Sequence, residues 1–158
     1  MKKKLFKSFY IFIFLIVSNC GYKVVDSYGL YNLDIIEIKS SGDKRINFKI
    51  KNKLKFQSSQ SNKNEVILEL YTNKDKIVKE KNIKNEITKY QITATTKVKL
   101  TFLENNMNKE INVRSEGNYQ VSNKYSTTLR NEKRLIDEIA DNLALQINNK
   151  ILLITNDF

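Results

Sequence analysis

The alternation of apolar and polar residues is strongest in the second half of the chain, where it predicts two β-strands. In ITKYQITATTKVKLTF, apolar side chains take one face and mainly lysine and threonine take the other over thirteen positions. Such strict alternation is typical of an antiparallel strand with one buried and one solvated face. After a turn at ENNMNK, the stretch EINVRSEGNYQV alternates again, and Gly117 within it predicts a β-bulge. The predicted inward-facing residues are Tyr90, Ile92, Ala94, Val98, Leu100, Phe102, Ile111, Val113, Tyr119 and Val121.

The chain before residue 82 contains two further candidate strands. A β-branched run predicts a first strand over residues 34–38. The stretch VILELYTNKDKIVKE predicts a long second strand with a bulge or turn near TNKD. Together with the alternating pair, these segments make four predicted strands.

Apolar residues at helical spacing predict one helix between the first two strands and another near the C-terminal end. Ser41 and Asp43 are candidate N-caps of the first helix, and Thr127 or Thr128 can cap the second. In both helices one apolar stripe is expected to face inward while charged residues face outward. The stripes are Ile46, Ile50 and Leu54, with Phe48 and Phe56 nearby, and Leu135, Ile136, Ile139, Leu143 and Ile147.

The order β-α-β-β-β-α predicts an α+β fold. We expect a two-layer sandwich in which a four-stranded, mostly antiparallel sheet carries two helices packed on one face. The predicted domain covers residues 34–153, with a tether over 20–33 and a tail over 154–158. No internal repeat or second domain is evident in the 158 residues.

The first nineteen residues have the layout of a lipoprotein signal peptide. MKKKLFK is cationic, and the nine apolar or aromatic residues that follow at 9–17 are fewer than the roughly 20 needed to span a membrane. The run ends in VSNC followed by GYK, which is typical of a bacterial lipobox, although Asn19 replaces the usual small residue. We therefore expect residues 1–19 to be removed and Cys20 to carry acyl chains such as palmitate. An ordinary signal peptide, or an uncleaved anchor with a chance cysteine, is the alternative.

The chain is basic, with 28 Lys and Arg against 17 Asp and Glu and a net charge of +11. Taken alone, this charge suggests nucleic acid, an anionic membrane surface or phosphate-bearing ligands, and AT-rich codon drift is an equally simple source. Removal of residues 1–19 leaves 24 basic and 17 acidic residues, a net charge of +7. A translocated lipoprotein does not normally meet nucleic acid, so we expect no nucleic-acid partner. Gly21, rather than Asp, after the cysteine favours the outer membrane.

The sequence lacks the usual signatures of catalytic and metal sites. It contains no His, and its one Cys cannot form an intramolecular disulfide. No Gly-rich phosphate loop or G-x-S-x-G stretch is present. We therefore expect no enzymatic activity, no catalytic residues, no metal and no cofactor. The acidic residues Asp137, Glu138 and Asp141 are expected to form the solvated side of the last helix rather than a metal site.

Three stretches of the sequence carry a resemblance to a known family. They are CGYK at the start of the expected mature chain, ITKYQITATTKVKLTF, and GNYQVSNKYSTTLRNEKRLIDEIADNLALQI. With the predicted element order they resemble the lipopolysaccharide-assembly lipoprotein family, LptE, over most of residues 20–150. The resemblance implies a non-enzymatic lipoprotein on the periplasmic side of the outer membrane, which plugs the lumen of an LptD-like β-barrel and assists its assembly. It also implies lipopolysaccharide binding; a structural or adaptor envelope lipoprotein without that contact is the alternative.

Basic residues on the outward face of the last two strands are the candidate lipopolysaccharide-binding residues, because Lys and Arg make charge-assisted contacts with phosphates. One allowed register puts Leu100 opposite Val113, and therefore Lys99 opposite Arg114. Two like charges directly opposed are unfavourable unless an anion visits them. The alternative is a register wrong by two, with both side chains extended into water. The candidates are Lys99, Arg114, Lys97 and Lys89, and Lys97 lies opposite Glu116 in this register. Beside them on the third predicted strand lies a polar strip of Gln91, Thr93 and Thr95, which is equally compatible with a barrel lumen and with solvent.

Overall fold

The computed structural model describes residues 33–55 and 64–156, so the predicted signal peptide, Cys20, Phe56 and most of the predicted tether lie outside the described residues. The elements follow the predicted order and confirm the α+β, two-layer fold with a mostly antiparallel sheet. They are β1 (Leu33–Gly42), α1 (Lys44–Lys55), β2 (Asn64–Lys81), β3 (Ile87–Phe102), β4 (Asn108–Gln120) and α2 (Tyr125–Asn156).

The four strands lie side by side in chain order, β1-β2-β3-β4. β1 and β2 are parallel because the chain returns through α1, whereas β2, β3 and β4 form an antiparallel meander. β2 and β3 extend past the end of β1, since Gly42 pairs with Thr72 while β2 continues to Lys81.

The long second strand is continuous through TNKD, so the predicted interruption there is wrong. Asn73 pairs with Thr95, Lys74 with Ala94 and Asp75 with Thr93 without a break. Pairing with the strongly alternating β3 outweighs the weak strand preference of Asn, Lys and Asp. The register shifts instead between Val78 and Lys81, next to the hairpin turn.

Gly117 lies in a regular stretch of β4, opposite Ile92, and the predicted bulge is absent. The glycine serves close packing instead. A Cβ atom placed there would lie 2.4 Å from Leu135 Cδ1 of α2. The helix can therefore approach the sheet closely at this point because the strand has no side chain.

The core lies between the sheet and the two helices. The stripe of α1 is fully buried at Ile46, Ile50 and Leu54, but Phe48 is 65% exposed and is not part of it. The stripe of α2 is buried as predicted and continues to Ile151, so the helix runs past the predicted end of the domain to Asn156. α2 begins at Tyr125, before the predicted threonine caps, and the Thr128 hydroxyl accepts a hydrogen bond from the Ser122 backbone N–H at 2.9 Å.

Asp43 is the N-cap of α1, one of the two predicted candidates. Its Oδ1 accepts hydrogen bonds from the backbone N–H groups of Arg45 (3.1 Å) and Ile46 (2.9 Å). Its Oδ2 lies 2.7 Å from Lys74 Nζ. The residue before it, Gly42, has φ of 88° and lies so close to β2 that a Cβ would be 2.0 Å from the Thr72 carbonyl oxygen.

Three buried polar side chains connect α1 to the sheet. The Thr72 hydroxyl donates to Asn47 Oδ1 at 2.7 Å and lies 2.8 Å from the Thr96 hydroxyl. The Asn47 amide donates from Nδ2 to the Ser41 carbonyl at 2.7 Å, which fixes the orientation of the amide. Because Thr72 has one hydroxyl proton and donates it to Asn47, Thr96 must be the donor to Thr72.

Candidate functional site on the open sheet face

The helices cover one face of the sheet, and no described helix or strand covers the other, which we call the open face. Strand alternation directs Lys89, Lys97 and Lys99 of β3 and Arg114 of β4 to this face, as predicted. The four candidate residues therefore share one surface. Their neighbours on it differ from those expected.

The register between β3 and β4 differs from the predicted one by four residues. Lys99 lies opposite Glu110, Arg114 opposite Thr95, and Lys97 opposite Asn112. The turn sets this register: Asn105 Oδ1 accepts the Met107 backbone N–H at 3.0 Å, and Asn106 takes a positive φ of 53°. Asparagine favours both features, so the chain reverses two residues earlier than the predicted register requires.

The correct register places opposite charges side by side. Lys39, Glu69, Lys99 and Glu110 form one row across all four strands, with alternating sign. The Lys99 Nζ lies 3.9 Å from Glu69 Oε2. The like-charge pair of Lys99 and Arg114, which was the reason to expect an anion there, does not exist.

Two other candidate residues also have carboxylate neighbours. Arg114 Nη2 donates to Glu116 Oε2 at 2.7 Å, and Lys89 Nζ donates to Glu80 Oε1 at 2.6 Å. In each pair at least one of the two side chains is more than half exposed, so each pair contributes little to stability. These cations are thus partly neutralised before any ligand arrives.

Lys97 differs from the other three candidates. Within residues 33–55 and 64–156 its ammonium has no hydrogen-bond or ion-pair partner. It lies between Tyr71 of β2 and Asn112 of β4, and Tyr71 is 52% exposed. A shallow depression of about 400 Å³ opens around these side chains, and Lys39, Ser41, Lys99 and Glu110 also line it.

The depression combines an aromatic ring, an unpaired ammonium, a hydroxyl and an amide. Aromatic faces stack on sugar rings, and an ammonium binds phosphate oxygens. Tyr71 was not among the predicted site residues, although its place in the alternation of VILELYT puts it on the same outward side as Glu69. The depression could not be found from the sequence because it depends on the register of three strand pairs.

A second polar cluster lies on the helix side of the sheet. Glu132 Oε2 of α2 accepts hydrogen bonds from Lys76 Nζ (2.9 Å) and from the Tyr119 hydroxyl (2.8 Å). The Lys76 ammonium also lies 4.4 Å from the centre of the Tyr90 ring, which stacks on Tyr119. This cluster connects β2, β3, β4 and α2.

Hydrogen bonding controls the charge state of that cluster. Burial works to raise the pKa of Glu132, but the hydrogen bonds from Lys76 and Tyr119 outweigh it and hold the pKa below its usual value. Burial works to lower the pKa of Lys76, and the hydrogen bonds with Tyr119 and Glu132 raise it overall. The pair therefore stays charged at neutral pH and forms a structural link between the sheet and α2.

Side chains of α2 cover the outer edge of β4. Asn131 donates to the Gln120 carbonyl at 3.1 Å. Gln146 and Lys150 donate to the carbonyls of Arg114 (3.0 Å) and Asn112 (2.8 Å). An edge strand with unpaired carbonyls invites pairing with another chain, and these contacts block it.

Two of the acidic residues on the last helix, Asp137 and Asp141, connect it to α1, whereas Glu138 pairs with Arg134 of the same helix. Asp137 Oδ1 lies 2.8 Å from Arg45 Nη2 and 3.0 Å from Lys49 Nζ, and Asp141 Oδ1 lies 2.8 Å from Lys53 Nζ. In the part of the chain that the structure describes, no group of three or more acidic, Cys or His side chains is placed to hold a metal ion. Nor does that part contain a helix with the length and apolarity that crossing a membrane requires.

The fold resembles that of several bacterial lipoproteins of known structure. Rare lipoprotein B from Shewanella oneidensis aligns with a TM-score of 0.60 and 9% identity, over 77% of this chain and 97% of that one. Lipoprotein B from Nitrosomonas europaea aligns with a TM-score of 0.54 and 11% identity, over 86% and 93% of the two chains. A chain named as a lipoprotein from Caulobacter crescentus aligns with a TM-score of 0.54 and 10% identity, over 76% and 90%.

The sequence matches no protein-family model and no curated protein at a significant level. The likeness to the solved structures is thus one of fold, at identities of 9–11%. It extends over 97% of the Shewanella chain.

Proposed function

We propose that this chain is an outer-membrane lipoprotein of the lipopolysaccharide-assembly type, attached to the membrane through Cys20. In this proposal it occupies and helps assemble a large LptD-like β-barrel, contacts lipopolysaccharide, and has no enzymatic activity. The observation that carries the proposal is the fold shared with rare lipoprotein B over 97% of that chain, in a sequence that begins with a lipobox-like segment.

The depression on the open face supports the lipopolysaccharide part of the proposal. Its Tyr71 and Lys97 offer a ring for a sugar and an unpaired ammonium for a phosphate. Lys97 is therefore the first of the four candidate residues to test. Lys89, Lys99 and Arg114 are expected to contribute less, because each already has a carboxylate neighbour.

A Lys97→Glu variant tests this site. We expect it to weaken lipopolysaccharide binding by about tenfold or more, the usual worth of a charge-assisted hydrogen bond. Lys124→Glu makes the same charge change at an exposed position just before α2 and is the matched control. Equal binding by the two variants would remove the depression as the binding site.

The barrel part of the proposal requires a separate experiment. Co-purification of the membrane-attached protein should recover a large outer-membrane barrel, and depletion should leave that barrel misassembled. If depletion left the barrel folded and surface lipopolysaccharide unchanged, the proposal would be wrong. A parent protein that recovers the barrel but binds no lipopolysaccharide would favour the alternative, an adaptor lipoprotein without that contact, which the paired charges at Lys89, Lys99 and Arg114 also favour.

A further inference from the structure

Among the described helices and strands, α1 has the largest excess of charges of one sign. Its sequence KRINFKIKNKLK contains six basic residues and no acidic residue. Three of the six, Arg45, Lys49 and Lys53, form ion pairs with the two aspartates of α2. These three recur every four residues, which places them along the side of α1 that faces α2.

A second stripe of α1 points away from α2 and from the core. Lys44, Phe48 and Lys51 fall within about 60° of arc on the helix, at 100° per residue. Neither ammonium has a hydrogen-bond or ion-pair partner within residues 33–55 and 64–156. The phenyl ring between them is 65% exposed, although Phe is a residue that folding usually buries. We call this the Phe48 stripe.

The stripe borders a notch of about 290 Å³ between α1 and the end of β1. Ser40, Ser41 and Gly42 of β1 line one side of the notch, and Lys44, Phe48 and Lys51 line the other. Hydroxyl groups and two ammonium groups thus line a space large enough for a lipid headgroup, next to the exposed Phe48 ring. This combination suits a phosphate with an acyl chain beside it.

We propose that the Phe48 stripe docks on an anionic phospholipid bilayer, with Phe48 entering the interface and Lys44 and Lys51 binding lipid phosphates. An amphipathic helix that lies on a membrane combines an apolar side chain with flanking lysines in this way. The charge complementarity is specific to an anionic surface, because the α2 aspartates neutralise Arg45, Lys49 and Lys53 but neither Lys44 nor Lys51.

A bilayer fits this stripe better than a protein partner does. A stable protein interface buries about 800 Å² on each side around a cluster of apolar anchors. The stripe offers one aromatic ring on a convex helix, which is too little for such an interface. A lipid surface needs only shallow insertion and electrostatic attraction, which one ring and two lysines supply.

The connection to the membrane makes such docking accessible. This step rests on the proposed attachment at Cys20. Twelve residues lie between Cys20 and Leu33, and the thirteen residue-to-residue steps span at most about 45 Å when extended. The domain is therefore confined near the bilayer, and a weak contact is sufficient to orient it.

The sequence allows a direct test because it contains no tryptophan. In Phe48→Trp, the indole becomes the sole tryptophan in the protein. We would reconstitute the full membrane-attached chain into phosphatidylcholine vesicles with or without phosphatidylglycerol. The expected result is a blue-shifted emission, with quenching by bromine-labelled acyl chains, only when phosphatidylglycerol is present.

Two controls isolate the stripe. Tyr125→Trp reports from an exposed aromatic position on α2 and should show no quenching in either vesicle. In the Phe48→Trp background, Lys44→Gln with Lys51→Gln should lower the docking constant by about fivefold per lysine. The matched pair Lys124→Gln with Lys133→Gln removes two other exposed charges and should leave the constant nearly unchanged.

Three results would overturn the proposal. One is the same Phe48→Trp emission in neutral and anionic vesicles; another is an equal effect of the two lysine pairs. The third is a response to lipopolysaccharide or to a co-purified barrel but not to phosphatidylglycerol, which would assign the stripe to a different occupant. None of these outcomes depends on the Lys97 site, so this proposal and the proposed function fail separately.

Discussion

The direction of the buried hydrogen-bond chain makes a sharp prediction about two similar threonines. Thr96 donates to Thr72, and Thr72 donates to Asn47. Replacement of either threonine by valine removes one hydroxyl and preserves the side-chain shape. The two substitutions nevertheless leave different groups without partners.

The costs follow from which groups lose their partners. In Thr96→Val, Thr72 keeps its acceptor and loses only an incoming hydrogen bond, so we expect a loss of about 1 kcal/mol. In Thr72→Val, both the Thr96 hydroxyl proton and Asn47 Oδ1 are left buried without a partner. At about 1–3 kcal/mol for each of the two orphaned groups, this variant should lose about 2–6 kcal/mol.

Urea unfolding of the two variants, followed by far-UV circular dichroism, measures this difference. The midpoint of Thr72→Val should fall well below that of Thr96→Val, with equal slopes in both transitions. The double variant should cost about as much as Thr72→Val alone or less, because Thr96→Val removes one of the orphaned groups. Equal losses in the two single variants would show that the proposed donor direction is wrong.

Other substitutions test particular contacts. Gly42→Ala should destabilise the protein by at least about 2 kcal/mol in urea unfolding, because alanine is strained at φ of 88° and its Cβ would overlap a β2 carbonyl. Gly117→Ala should be destabilising alone, yet its added cost should shrink in the Leu135→Ala background, where the colliding methyl group is absent; additive losses would argue against that contact. Because the pKa of Glu132 is lower in the folded protein than its unfolded value near 4.5, the ionised carboxylate stabilises the fold. This contribution to the free energy of unfolding is fully present above the unfolded pKa and is lost as the pH falls through the folded pKa. Glu132→Gln should therefore lose less stability than the parent between about pH 5 and pH 3, and parallel acid profiles would contradict this.

The elements and the core followed from local patterns. Alternation in β3 and β4 identified the inward residues, and four-residue spacing identified the α1 stripe at Ile46, Ile50 and Leu54. These patterns can be recognised in the sequence because each depends only on which face of a single element is buried in the core. Phe48, which was expected near this stripe, lies outside it, since at 100° per residue it falls about 120° from Leu54 and about 160° from Ile46 and Ile50.

The site was harder to predict because it depends on neighbours in other strands. The neighbour of Lys99 on β4 is Glu110 rather than Arg114, because the turn between β3 and β4 fixes the register of that pair. The turn that Asn105 and Asn106 stabilise selects this register. The alternation could not select it, because several registers of the same parity satisfy the alternation equally. The special position of Lys97 could therefore be recognised only after the other three candidate residues had been assigned carboxylate partners.

The parallel pairing of β1 with β2 determines how the domain bears mechanical tension. Any pull transmitted through residues 1–32 enters at Leu33, where an edge strand begins that is paired with β2 along its length to Gly42. Force along the strand axis shears all of these pairs together, whereas force across the sheet opens them one at a time from Leu33. The rate of forced unfolding thus depends on the direction of the pull. The domain therefore resists tension best when the force on Leu33 is directed along the axis of β1.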